Sequence, residues 1–263
     1  MDTDSPDPHQ GHSREWPSTP YSDEARREKP SLADSCCIAL IGDCTVACTY
    51  YPPSNRPENH LLLRLRRAFP DQPCRVFNLA RDGECAADFL IPQRMKASLS
   101  PLSRLDVAFL RYGINDRKRY GISACIEHLE TLCCELRGRY PAITLVIETG
   151  IWVDYPDHYL WDRNSRLAPL YNAIRDFAHG RGFPVVDIFG AMAEETRRGN
   201  WDLRVRGLPI PDHLVVDDSF DDLFGQDPAY YTNIHPNSRC LSLIARLEVE
   251  ALQSVFGNRL PPF

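Results

Sequence analysis

The stretch Cys37-Ile38-Ala39-Leu40-Ile41-Gly42-Asp43-Cys44-Thr45-Val46-Ala47-Cys48 decides the fold. Five apolar residues run without alternation, as in a strand buried on both faces. Gly42-Asp43 breaks the run, and Cys44, a side chain able to act as a nucleophile, follows at once. Four more short runs share this texture: Arg75–Asn78 (RVFN), Asp106–Leu110 (DVAFL), Thr144–Ile147 (TLVI) and Pro184–Asp187 (PVVD). Between them the pattern predicts helices over Asn59–Phe69, Ala86–Ala97, Ile122–Arg139 and Trp161–His179, the last stopped at Gly180. A final helix, Ser238–Phe256, follows Pro236 and ends at Gly257. Strands alternating with helices predict an α/β protein with a parallel sheet and helices on both faces.

The bulk properties narrow the function. A chain of 263 residues, 43% hydrophobic, supports one sizeable domain. The net charge of -6 gives no general footprint for nucleic acid. The basic clusters Arg64, Arg66, Arg67 and Arg117, Lys118, Arg119 read as solvated faces. No run approaches the ~20 apolar residues of a membrane span, and no basic segment leads into an apolar one at the N-terminus. The expectation is a cytoplasmic protein without a nucleic-acid or membrane partner. In that setting the ten cysteines, which form no C-x-x-C pair, read mostly as small buried hydrophobes. Residues 1–34 are polar, Pro-rich and nearly free of aliphatic side chains, and are expected to be a disordered or surface-draped arm before a domain at 35–263. The irregular stretch 199–233 has the length of a functional lid or binding segment.

Ligands of open parallel sheets sit beyond the carboxyl ends of the strands. The segments there are Gly42-Asp43-Cys44, Leu79 through Gly83, and Arg111 through Asp116. Tyr231 through Asn237 precedes the last helix. Cys44, at a strand-to-helix turn, is expected to be exposed, with a thiol pKa lowered by the helix N-terminus. His235 is the candidate proton acceptor. Charge developing on a carbonyl oxygen needs donors, for which the Cys44 and Gly83 backbone N–H groups and the Asn115 side-chain amide are candidates.

These blocks resemble those of the SGNH hydrolases, also called the GDSL esterase/lipase superfamily. Gly42-Asp43-Cys44 is similar to the family's Gly-Asp-Ser. Asn78 through Gly83 is similar to its Asn-x-x-x-x-Gly, Gly113-Ile114-Asn115-Asp116 to its Gly-x-Asn-Asp, and Thr232-Asn233-Ile234-His235-Pro236 to its Asp-x-x-His-Pro. The resemblance spans residues 37 to 256. It implies a three-layer α/β/α sandwich around a flavodoxin-like, five-stranded parallel sheet. It also implies ester or thioester hydrolysis, or acyl transfer, through an acyl-enzyme without metal or organic cofactor.

Two positions depart from the family pattern. Cys44 stands in place of the nucleophilic serine, and Thr232 in place of the aspartate. A thiol is far more acidic than a serine hydroxyl and needs less help from a carboxylate-oriented histidine. A Cys44–His235 dyad is therefore expected, with Thr232, Asn233 or a backbone carbonyl orienting the ring, or Asp227 as a displaced carboxylate. A thioester acyl-enzyme tilts the expectation toward transfer from a small-molecule or carrier-bound acyl (thio)ester to an amine or hydroxyl acceptor. Two other readings remain: a site without turnover that binds a ligand, and a redox pair of Cys44 and Cys48. Tyr50, Tyr51, Trp152, Tyr155, Tyr159 and Trp161 are candidate walls of an acyl pocket. Arg111 and Arg117 are candidates to meet an anionic group.

Overall fold

The computed structural model describes residues 35–49, 51–152, 163–199 and 235–261. Five strands form one parallel sheet: β1 (Cys36–Gly42), β2 (Cys74–Asn78), β3 (Val107–Arg111), β4 (Thr144–Glu148) and β5 (Val185–Val186). Their spatial order is β2-β1-β3-β4-β5, the flavodoxin-like order. Register sets Leu40 of β1 beside Asn78 and Phe109, and Gly42 beside Arg111. Every residue of β1 and β3 is buried, as their unbroken apolar runs require.

The helices are α1 (Cys44–Ala47), α2 (Pro57–Ala68), α3 (Ala86–Phe89), α4 (Pro92–Leu99), α5 (Ile114–Arg119), α6 (Ile122–Arg139), α7 (Arg163–Gly180), α8 (Ile188–Arg197) and α9 (Ser238–Phe256). The chain steps from β1 to β2 in one direction and then from β2 through β3 and β4 to β5 in the other. Right-handed crossovers in opposite directions place their helices on opposite faces. So α2, with α9 packed against it, covers one face, while α3, α6 and α7 pack together on the other. Among the described residues, no helix is long and apolar enough to cross a membrane.

Two expectations about elements need correction. Residues 86–97 are not one helix. Ile91 precedes Pro92, whose ring disfavours helical geometry at the residue before it, and Ile91 takes φ −57°, ψ 124°. The chain breaks there into α3 and α4. Pro184–Asp187 supplies only a two-residue strand, and Asp187 instead caps α8 by accepting from the Gly190 N–H at 3.1 Å. That helix escapes periodicity because only Ile188, Phe189 and Met192 are buried.

Candidate functional site

Gly42 is where β1 meets the site. A Cβ there would lie 2.5 Å from the Arg111 carbonyl oxygen and 2.6 Å from Val46, so only glycine fits. Asp43 then caps α1, its Oδ1 accepting from the Thr45 N–H (2.9 Å) and hydroxyl (2.8 Å). The helix lasts one turn and ends at Cys48 in a left-handed conformation, φ 43°. Cys48 is fully buried and its thiol donates to the Thr45 carbonyl, so packing accounts for it. The cysteines are free thiols, Cys44 and Cys48 included.

The loop after β2 is laid along the end of β1. Leu79 N–H donates to Leu40 O (2.8 Å) and Arg81 N–H to Gly42 O (3.1 Å). Asn78 ties the end of β2 to α1 and α2, its amide donating to Val46 O (2.9 Å) and to Glu58 (2.8 Å). Gly83 follows at φ +71°, a region that favours glycine, and its backbone N–H acts to favour the Cys44 thiolate. Asn115, on the first turn of α5, donates its side-chain amide to the Glu84 carbonyl at 3.1 Å. Asp116 accepts from the N–H groups of Ala86 (2.9 Å) and Gly113 (3.2 Å), joining the loops after β2 and β3. Cys44, Gly83 and Asn115 are thus brought to one end of the sheet.

His235 is half-buried at the entrance to α9. Asn237 caps that helix, accepting from Cys240 N–H at 3.0 Å. Ser238 meets Asn55, in the loop between α1 and α2, at 2.6 Å, and so ties the entrance of α9 to the segment that leaves the Cys44 helix. Thr232, Asn233 and Asp227 lie outside the described residues, as do Tyr50, Tyr155, Tyr159 and Trp161. Tyr51 is buried and cannot wall a pocket, whereas Trp152 is half-buried against Phe189.

The electrostatics correct the expectation of an exposed, acidified thiol. Cys44 is only 8% exposed. Burial, and then the neighbouring Asp43 carboxylate, push its thiol well above the ordinary range, against the opposing Gly83 N–H. A single helical turn has little dipole to oppose this, and Asp43 sits at its positive end. Burial also raises Asp43 to about 6, which leaves it ionised at neutral pH. The expected result is that alkylation of Cys44 by iodoacetamide, read by peptide mass analysis, is slow at pH 7. Its rate should climb about tenfold per pH unit beyond pH 9, since the thiolate fraction is still rising there. A plateau near pH 7 would instead mean a preformed thiolate–imidazolium pair.

Arg111 is likewise not a solvent-facing group. It is 2% exposed, donating to Glu148 (Nε, 2.9 Å), to Glu248 (Nη2, 3.2 Å) and to the Thr45 carbonyl (Nη1, 3.2 Å). One guanidinium therefore joins the ends of β3 and β4, α9 and the turn that carries Cys44. Glu148 and Glu248 were legible only as anomalies. The first closes an apolar strand, and the second interrupts the buried face formed by Leu241, Ile244, Ala245, Val249 and Leu252.

An open parallel sheet with a thiol and converging N–H donors beyond its strand ends defines an α/β protein with a strand-end site of the kind used for acyl chemistry. The chain belongs to the GDSL-like lipase/acylhydrolase family, whose model matches residues 40–239. This is a family of hydrolases and esterases. A search of curated proteins finds no match. Among solved structures, the chain is similar to a lipase/acylhydrolase from Enterococcus faecalis, with 18% identity, TM-score 0.56, and 86% of this chain and 100% of that one covered. It is also similar to an acetylxylan esterase from Geobacillus stearothermophilus, with 15% identity, TM-score 0.57, and 83% and 95% covered. A two-domain esterase active on acetylated mannans matches with 15% identity and TM-score 0.60, over 88% of this chain and 54% of that one. At these identities the likeness establishes the fold.

Proposed function

We propose that the protein is an acyl-transfer enzyme in which Cys44 is the nucleophile and His235 its base. The observation that carries this reading is the meeting of the Cys44 turn with the Gly83 loop and Asn115 beyond the end of β1, where Arg81 N–H binds Gly42 O and the Asn115 amide binds Glu84 O. Because the thiol is neutral at pH 7, attack and deprotonation are coupled. The proton passes from Cys44 Sγ to the His235 imidazole as sulfur bonds to the substrate carbonyl carbon. The oxyanion is held by the Cys44 and Gly83 N–H groups and by the Asn115 amide hydrogen that Glu84 does not take. Collapse expels an alkoxide or thiolate, which the imidazolium protonates, and leaves a Cys44 thioester. Water, an amine or a hydroxyl then attacks that thioester, with His235 accepting its proton; the acyl group leaves sulfur, and the imidazolium returns the proton to the Cys44 thiolate.

The substrate class is a small-molecule or carrier-bound acyl ester or thioester. The test is intact-mass analysis after exposure to acetyl and longer acyl thioesters and aryl esters, with and without an added amine. Wild type should gain one acyl mass that an amine discharges faster than water. His235→Ala should slow its appearance about 100-fold or more, the usual contribution of a general base. The burial of the thiol favours one second reading, a pocket that binds an acyl ligand without turnover. Saturable binding with no adduct across the panel would select it.

A further inference from the structure

Glu84 follows Gly83 directly and is 5% exposed. Its side chain accepts three hydrogen bonds from two residues. Arg94 of α4 donates to Oε1 through Nε (2.6 Å) and to Oε2 through Nη2 (3.2 Å). The Tyr112 hydroxyl, just after β3, donates to Oε2 at 2.7 Å. The same Arg94 also donates to the Leu79 carbonyl (2.5 Å), at the start of this loop. The Glu84 main chain accepts from Asn115 at 3.1 Å. Through Arg94, Glu84 is thus linked to the other end of the loop that carries Gly83, and its carbonyl holds Asn115. Arg94 and Tyr112 are themselves buried, with Arg94 stacked over Phe89 at 4.7 Å, so the anchor is rigid.

We infer that Glu84 is a positioning residue that sets the Gly83 N–H and the Asn115 amide at the spacing a developing oxyanion requires. Resting on the acyl-transfer reading, the inference adds the part that fixes the donors relative to each other. Geometry at such donors matters because an unpaired oxyanion in a dry site loses far more than one in water. Glu84 touches neither the thiol nor the substrate, so its loss should affect oxyanion formation and spare thiol chemistry that forms no oxyanion.

The experiment compares wild type, Glu84→Gln and Tyr112→Phe in the full chain with three readouts. These are acylation of Cys44 by an aryl ester, alkylation of Cys44 by iodoacetamide, and amide exchange of residues 79–85. Glu84→Gln should slow acylation about 10- to 100-fold, a part of what removing one donor outright costs. It should keep alkylation within about threefold and raise exchange at 79–85. Tyr112→Phe, which deletes one bond and leaves the Arg94 pair, should give the same pattern at about 3- to 10-fold. In both variants the loss should fall on the rate constant of acylation rather than on the ester concentration needed for half-saturation. Equal losses in acylation and alkylation, or acylation at the wild-type rate, would overturn the inference. Should wild type form no adduct, the acyl-transfer reading fails, and unchanged exchange at 79–85 would then overturn the anchoring role separately.

Discussion

Replacing Cys44 by alanine should abolish the acyl adduct and lower any esterase turnover on the order of ten-thousandfold or more, as removal of a nucleophile does when its partners cannot act alone. The fold should survive, because the substitution leaves the Asp43 cap and the β1–β3 pairing beside the turn in place. Cys44→Ser is the sharper case. A serine hydroxyl needs a base oriented by a carboxylate, and neutralising that carboxylate in the serine triad lowers kcat about ten-thousandfold. With threonine at position 232, Cys44→Ser alone should therefore be nearly as inactive as the alanine variant. Adding Thr232→Asp should rescue the serine enzyme while doing little for the cysteine enzyme. Such non-additivity, read as kcat/KM for one aryl ester across the four variants, would mean that the two departures from the family pattern compensate each other. Equal gains from Thr232→Asp on both backgrounds would sink that idea.

The second large effect is a contrast between two buried glutamates. Arg111 lies 2.9 Å (Nε) and 2.8 Å (Nη2) from Glu148 but 3.2 Å from Glu248. One guanidinium cannot balance two buried carboxylates, and the pair retains one proton. Burial, and then the Glu148 charge, hold it on Glu248, whose pKa lies well above the usual carboxylate range. Glu148→Gln removes the charge facing Arg111 and should cost about 3–5 kcal/mol, or roughly 10 °C in melting temperature. Glu248→Gln replaces a neutral acid by a neutral amide and should cost within about 1 kcal/mol at pH 6.

The pH dependence separates the two further. The folded protein binds the Glu248 proton more tightly than the unfolded chain does. The contribution is fully present below the unfolded pKa of about 4.3 and declines as pH rises through the folded pKa. Glu248→Gln has no such proton to lose, so its stability relative to wild type should improve as pH rises from the unfolded pKa toward the folded one in urea titrations. A constant difference across that rise would refute the retained proton.

The strands, most helices and the order of the four blocks could be read from the chain because each depends on local periodicity and caps. β1 shows as five apolar residues ended by Gly42-Asp43, and α6 as a repeat running unbroken from Ile122 to Arg139. The helix break at Pro92 is written in the residues themselves, whereas α8 buries too few apolar positions to announce itself. Hydrophobic pattern and crossover handedness are enough to specify the open α/β sheet and which residues stand at its strand ends, because they leave few alternatives. The chemical state of those residues depends on contacts made after folding. Cys44 is a buried neutral thiol rather than an exposed thiolate, Arg111 is a brace between a turn and a helix 137 residues on, and Glu84 is clamped by a tyrosine 28 residues away. Burial and charge neighbours set those states, and both come from parts of the chain that meet only when it folds.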